Sequence, residues 1–208
     1  MKKFFIIFLT LFVLFGSIDV TYATSRELDL IGKSAILIDA TTGEILYEKN
    51  IHDQHYPAST TKIMTAILTL ENLELTEKLV IDEEASFTGG SRIYLLEGED
   101  VTVEEVMYGM MLESANDAAV AFAKNIAGSV EAFAKQMNEK AAELGALNTN
   151  FVNPHGLHDD AHVSTAYDLA MIARYAMKNE IFRHYVSTYQ YTMEATNLQD
   201  TRYFYNTN

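Results

Sequence analysis

The chain predicts an α+β fold, with helices packed on a mainly antiparallel sheet, and three stretches carry that prediction. Short β-rich segments come first, capped helical segments fill the middle, and strand-like residues return near the end. The opening pair is Ser34-Ala35-Ile36-Leu37-Ile38-Asp39 and Glu44-Ile45-Leu46-Tyr47-Glu48-Lys49. Both are partly alternating, and Ala40-Thr41-Thr42-Gly43 between them reads as a hairpin turn.

Residues 59 to 71 read as a helix. An irregular stretch ends at Pro57, and Ile63, Met64, Ala66, Ile67, Leu68 and Leu70 make the following run apolar around much of its circumference. Leu79-Val80-Ile81 reads as a short strand. Residues 86 to 100 hold Gly89-Gly90 and Gly98 and read as loop. Thr102-Val103-Glu104-Glu105 is a capping box that opens a helix to about Leu112, with Ser114 just beyond. An alanine-rich helix spans Asn116 to Ala127 and ends at Gly128. Ser129 caps the next, which runs to Leu144 with Gly145 after it. Ser164 or Thr165 starts a further helix that ends near Lys178, and Tyr189 to Met193 begins a strand. There is no internal repeat, low-complexity tract or Pro/Gly linker.

At 208 residues the chain is long enough for one sizeable core. Its 49% apolar and 21% charged content is that of a globular protein, and twelve tyrosines with eleven phenylalanines argue against disorder. A formal net charge of −14 speaks against nucleic acid and against an anionic membrane face as partners. The N-terminus has the plan of a secretory signal. Met1-Lys2-Lys3 is positive, Phe4 to Phe15 is apolar apart from Thr10, and small residues near Ala23 offer a cleavage point. The competing reading, an uncleaved anchor, is weakened by a run shorter than the roughly 20 residues of a span and by Asp19 within it. Residues 1–23 are therefore expected to be a signal peptide and residues 24–208 the folded part. With no cysteine, the exported chain has no disulfides and relies on its core.

Ser59-Thr60-Thr61-Lys62 is the first candidate for chemistry. On a helix, residues i and i+3 share a face, so Ser59 and Lys62 can meet. A serine hydroxyl needs a base to become a nucleophile. Lysine becomes that base only where burial or a nearby cation lowers its pKa from about 10.4. The pattern alone is weak, since it arises by chance about once in a chain of this length. The plain alternatives are a helix-capping Ser59 and a snorkelling surface Lys62. Ser114-Ala115-Asn116 and Asn153-Pro154-His155-Gly156-Leu157 are the second and third candidates. Asn116 also suits a helix start, and Asp117 suits a first turn favoured by the helix dipole. The stretch with His155, His158, Asp159, Asp160 and His162 invites a metal reading, but Asn-Pro-His-Gly is a turn by local chemistry, and no metal is expected. His52 and His55 read as surface residues near the site mouth.

The strings ASTTKIMTA, ESANDAA, NPHGL and HVSTAYDLA, in that order, resemble the low-molecular-mass penicillin-binding proteins, the serine-type D-alanyl-D-alanine carboxypeptidases. The resemblance implies a β-lactamase/transpeptidase-like catalytic domain, an α/β sandwich whose N-terminal hairpin pairs with three C-terminal strands. It implies Ser59 as the acylated serine, Lys62 as proton acceptor, and Ser114 as the serine that shuttles a proton to the leaving group. Asn116 would orient Lys62 and bind the substrate backbone. The substrate would be a peptidoglycan stem peptide ending in D-Ala-D-Ala, with β-lactams as trapping inhibitors, no cofactor, and a location outside the cytoplasmic membrane facing the cell wall.

One departure matters. No Lys-Thr-Gly occurs among the 208 residues. In the family that motif follows a segment like Tyr203 to Asn208, so the chain reads as truncated before it, with the C-terminal sheet strands missing. Two rival readings follow: a catalytically dead remnant, favoured by the absent motif, and a class A β-lactamase-like hydrolase. The latter is disfavoured because no E-x-x-L-N string follows Asn116.

Overall fold

Helices form the core of residues 30–207 because the longest apolar runs among them are helical. The computed structural model describes residues 30–207, and the expected signal peptide, residues 1–23, lies outside them. The elements named below belong to one unit spanning Gly32–Asn208.

The chain enters through β1 (Ala35–Ile38) and β2 (Ile45–Lys49), an antiparallel hairpin with Ala35 opposite Lys49 and a bulge between Leu37 and Ile38. Asp39 builds its turn by accepting the N–H groups of Thr41 and Thr42 on one carboxylate oxygen. Strand β3 (Gln54–His55) follows, then a 3-10 turn over Ala58–Thr61 that runs straight into α1 (Lys62–Asn72). After β4 (Lys78–Leu79) and the short α2 (Glu83–Ser86), residues 87–100 form the expected loop. Strand β5 (Val101–Thr102) leads into α3 (Val103–Glu113) through a complete capping box. Thr102 Oγ accepts from the Glu105 N–H, and the Glu105 carboxylate accepts from the Thr102 N–H at 2.8 Å.

Helix α4 (Asn116–Ala127) is the centre of the core. Ala118, Ala119, Ala121 and Ala123 are all fully buried, and side chains this small let α1, α2, α3 and α5 (Val130–Glu143) pack around one axis. Phe122, Phe133, Met64, Met107 and Met137 fill the space between them at zero exposure. Thr165, the second of the two candidate starts, caps α6 (Ala166–Ala176), just after β6 (Ser164–Thr165). Helix α7 (Glu180–Ser187) and the antiparallel pair β7 (Gln190–Met193) and β8 (Arg202–Tyr205) complete the fold.

The α+β class holds, and each ladder among the described residues is antiparallel. Among the described residues no sheet is wider than two strands, in keeping with the expected incomplete sheet. Among the described residues no strand lies on either outer edge of the β1–β2 hairpin, and Leu37 and Leu46 are 57% and 59% exposed. The strand expected over residues 79–81 is shorter and earlier than its apolar residues suggest. Only Lys78 and Leu79 pair, opposite Thr102 and Val101. No helix among the described residues is long and apolar enough to cross a membrane.

Candidate active site

Ser59 and Lys62 meet because the turn between them is tighter than an α-helix. In a 3-10 turn, residues three apart eclipse. Lys62 Nζ lies 3.4 Å from Ser59 Oγ. Pro57 is the N-cap of that turn and no side chain caps it, nor does any cap α1, so the capping alternative for Ser59 does not hold. The snorkelling alternative for Lys62 fails as well. Lys62 is 3% exposed, and Nζ donates to the backbone carbonyl of His155 at 2.9 Å. Burial pulls its pKa down to about 8, against an opposing pull from the Asp117 carboxylate. Ser59 itself is exposed, so the pair joins an accessible hydroxyl to a desolvated amine.

The backbone around this pair is strained where the chemistry would need it. Ala58, just before Ser59, and Ser114, at the C-terminal end of α3, both take left-handed conformations, with φ of 50° and 57°. A non-glycine residue there costs on the order of 1 kcal/mol or more and persists only when its surroundings enforce it. Ser114 is thereby turned out of α3, and α4 restarts two residues later at Asn116.

The loop at Asn153–Leu157 closes over the start of α1. Asn153 holds its own turn, with its side-chain oxygen accepting the Gly156 N–H at 2.7 Å. Thr65 Oγ donates to the Pro154 carbonyl at 2.5 Å, one helical turn beyond the Lys62–His155 bond. Gly156 has a φ of 87°, and a Cβ there would collide with the Ala58 carbonyl. Only glycine permits that approach. Thr61 and His162 pin the loop's far side at 2.8 Å. His162 Nδ1 accepts the Val152 N–H, so Nε2 carries the proton and donates to Thr61. His155 Nδ1 likewise accepts from Leu157 N–H, and burial with the nearby Lys62 pushes its pKa down to about 4. Both rings thus act as neutral supports. His158 and Asp160 stay exposed at the loop's outer face, and no metal-holding group of acidic, His or Cys residues forms among the described residues. His52 is exposed as expected, whereas His55 is half-buried and bonded to Ser34 at 2.8 Å.

Asn116 is buried at the first position of α4. Its amide donates to the Gly89 carbonyl at 2.8 Å and its backbone N–H to Ser91 at 2.8 Å. Gly90 sits against that amide and beside Leu157, which brings the Asn116 end of α4 to the 153–157 loop. Asp117 lies in the first turn as expected, but its carboxylate does more than face the helix dipole. It accepts from the N–H groups of Ile93, Leu95 and Ala118 at 3.2, 3.0 and 2.9 Å. Among the described residues, no hydrogen bond joins the side chains of Ser114 or Asn116 to Ser59 or Lys62. The two halves meet where Gly90, beside the Asn116 amide, lies against the Leu157 side chain.

Sequence reasoning missed the carbonyls of Pro154 and His155, which only the fold brings to α1. It also passed over a visible signal: Thr61, Thr65 and Thr69, four apart in an apolar run and all fully buried. A polar stripe on a buried helix face needs partners, and His162 and Pro154 supply them for the first two.

The chain is similar in sequence and fold to known proteins. Over 178 residues the chain is 44% identical to the D-alanyl-D-alanine carboxypeptidase DacF of Bacillus subtilis, covering 83% of this chain and 46% of that protein. It is 36% identical over 192 residues to the D-alanyl-D-alanine carboxypeptidase of Streptomyces sp. strain K15, covering 86% and 65%. The crystal structure of DacD from Francisella tularensis superposes with a TM-score of 0.78 at 35% identity, over 84% of this chain and 44% of that one. The chain thus spans about half the length of DacF. Residues 21–208 match the peptidase S11 family of D-alanyl-D-alanine carboxypeptidases, and the chain belongs to that family.

Proposed function

We propose that the protein is a serine-type D-alanyl-D-alanine carboxypeptidase acting on peptidoglycan stem peptides. The observation that carries this reading is the buried Lys62 amine, with its pKa near 8, 3.4 Å from an exposed Ser59 hydroxyl. Near neutrality a usable fraction of Lys62 is uncharged. The His155 carbonyl binds one of its N–H groups, which leaves the lone pair free to take the Ser59 proton. Ser59 Oγ then attacks the carbonyl carbon between the two terminal D-alanines. Lys62 passes the proton, by way of Ser114, to the departing amine of D-alanine. An ester on Ser59 remains, and water hydrolyses it to regenerate the hydroxyl. Asn116 supports the second step of this reading by its fixed place beside the 153–157 loop, from which its amide would orient Lys62 and the substrate backbone.

β-Lactams would acylate Ser59 by the same attack, with the opened ring blocking departure. Residues 1–23 would serve as a signal that carries residues 24–208 to the cell-wall side of the membrane, where the stem peptide is found. A second reading rests on the missing Lys-Thr-Gly. In the family one oxyanion donor comes from the strand after that motif, and losing such a donor costs about 100- to 1,000-fold in rate. The 208 residues taken alone are therefore expected to turn over little.

Labelled penicillin with mass mapping tests the assignment in a version of the chain extended through Lys-Thr-Gly. The label is expected on the peptide containing Ser59. Label on Ser114 or Ser91, or none, would overturn it.

A further inference from the structure

We propose that Arg202 and Glu99 are positioning residues that hold Asn116 in place through the backbone strap of residues 89–99. The proposal rests on the carboxypeptidase reading of the site.

The strap has no ladder or helix of its own, so side chains must fix it. One edge is bound to the start of α4 by the Gly89, Ser91, Ile93 and Leu95 contacts with Asn116 and Asp117. The other edge is bound to the β7–β8 hairpin. Arg202 Nη1 donates to the Ile93 carbonyl at 3.0 Å, and Gln199 donates to the Tyr94 carbonyl at 2.7 Å. The peptide groups flanking Ile93 are therefore gripped from both sides, its N–H by Asp117 and its C=O by Arg202. Tyr94 next to it has a φ of 59°, a conformation that needs such enforcement.

Arg202 is itself held by Glu99. The Glu99 side chain is fully buried, and its oxygens accept from Arg202, Thr196, Gln199 and the Leu96 N–H. Nothing in the Ser59–Lys62 chemistry needs a buried ion pair at this place. Its effect is to anchor the strap, and the strap's first carbonyl fixes the Asn116 amide. Gly90, which leaves no room for a Cβ beside that amide, makes the fit sensitive to small movements of the strap.

Acylation by labelled penicillin in the version extended through Lys-Thr-Gly tests this with a double-mutant cycle. Arg202→Met alone would strand a buried carboxylate, so Glu99→Gln/Arg202→Met is used, which removes both charges and the grip on Ile93. This pair is expected to slow acylation about tenfold while the melting temperature stays within a few degrees, and to cost less than about twofold when Asn116 is already alanine. Arg202→Lys, which keeps the ion pair, is expected to recover most of the rate. Equal costs in the two backgrounds, or a parent-like rate in the folded pair variant, would overturn the proposal. Should the pair variant not fold, Glu99→Gln alone, which weakens the hold on Arg202, takes its place: a loss in the parent that vanishes with Asn116→Ala supports the proposal, and a parent-like rate or equal costs in the two backgrounds contradict it. If the parent protein takes no label at Ser59, the carboxypeptidase reading fails instead.

Discussion

The helical block and the β1–β2 hairpin are built from similarly apolar residues, yet they stand in opposite environments. Phe122 and Met107 are completely buried, while Leu37 and Leu46 are more than half exposed. Ser59, Lys62, Ser114 and Asn116 all belong to the helical side or to its immediate turns. The hairpin is tied to that side through its turn. Arg174 of α6 donates to the carbonyls of Ala40 and Thr41 at 2.9 and 2.7 Å. The difference teaches that the geometry of the Ser59–Lys62 pair is set by helix packing and by the 153–162 loop. The hairpin contributes little to it.

Substitutions can break this contrast, and the largest effect is expected in the core. Phe122→Ala should destabilise by about 3–5 kcal/mol, as for other buried aromatics, measured by denaturant unfolding. A cost under about 1 kcal/mol would show that the core around α4 is not the stabilising centre.

Next in size is a gain. Lys62 has a folded pKa near 8 against an ordinary 10.5, so the unfolded chain binds more protons between those values. Stability should rise with pH across that window, and the penalty, about 3 kcal/mol, is fully present below pH 8. Lys62→Met is therefore expected to stabilise the protein at pH 7 and to lose that advantage above about pH 10.5. A variant less stable than the parent at pH 7 would show that the His155 bond outweighs desolvation.

A smaller effect separates the two regions directly. Arg174→Ala should cost about 1 kcal/mol through the lost turn bonds. Hydrogen exchange should quicken in residues 35–49 and stay unchanged in α3 and α4. Exchange rising equally in both would mean that hairpin and helices open as one unit. Smallest of all, Leu46→Ser should change stability by no more than about 0.5 kcal/mol, the range for exposed positions. A larger loss in a thermal melt would show that this face is covered in solution.

What was legible in the sequence follows the same division. Long capped helices announced themselves: the Thr102–Glu105 box, Ser129 and the Gly128 stop all sit where their local chemistry puts them. Helix α7 was missed although Asn179 caps it through the Ile181 and Phe182 N–H groups, because eight residues hold barely two periods of a helical pattern. The ladders β3–β6 and β4–β5 pair two residues each and have no periodicity to read. Residues 59–62 read as one α-helical turn, and the 3-10 geometry that brings Lys62 to Ser59 carries no separate signature. Ser59 and Lys62 were visible as a spaced pair, but the carbonyl ligands of Lys62 and Thr65 come from residues about ninety positions away. A carbonyl leaves no mark in the side-chain sequence. Gly156 was visible, though its purpose, clearance for the Ala58 carbonyl, was not.

The central claim is that burial makes Lys62 the base for Ser59. It is tested most directly by the rate of acylation with labelled penicillin as a function of pH in the version extended through Lys-Thr-Gly. The account predicts a rate that climbs about tenfold per pH unit below pH 8 and levels off above it, as a single group titrating there requires. A rate independent of pH between 6 and 10, or one that levels off near pH 4 with His155, would contradict it.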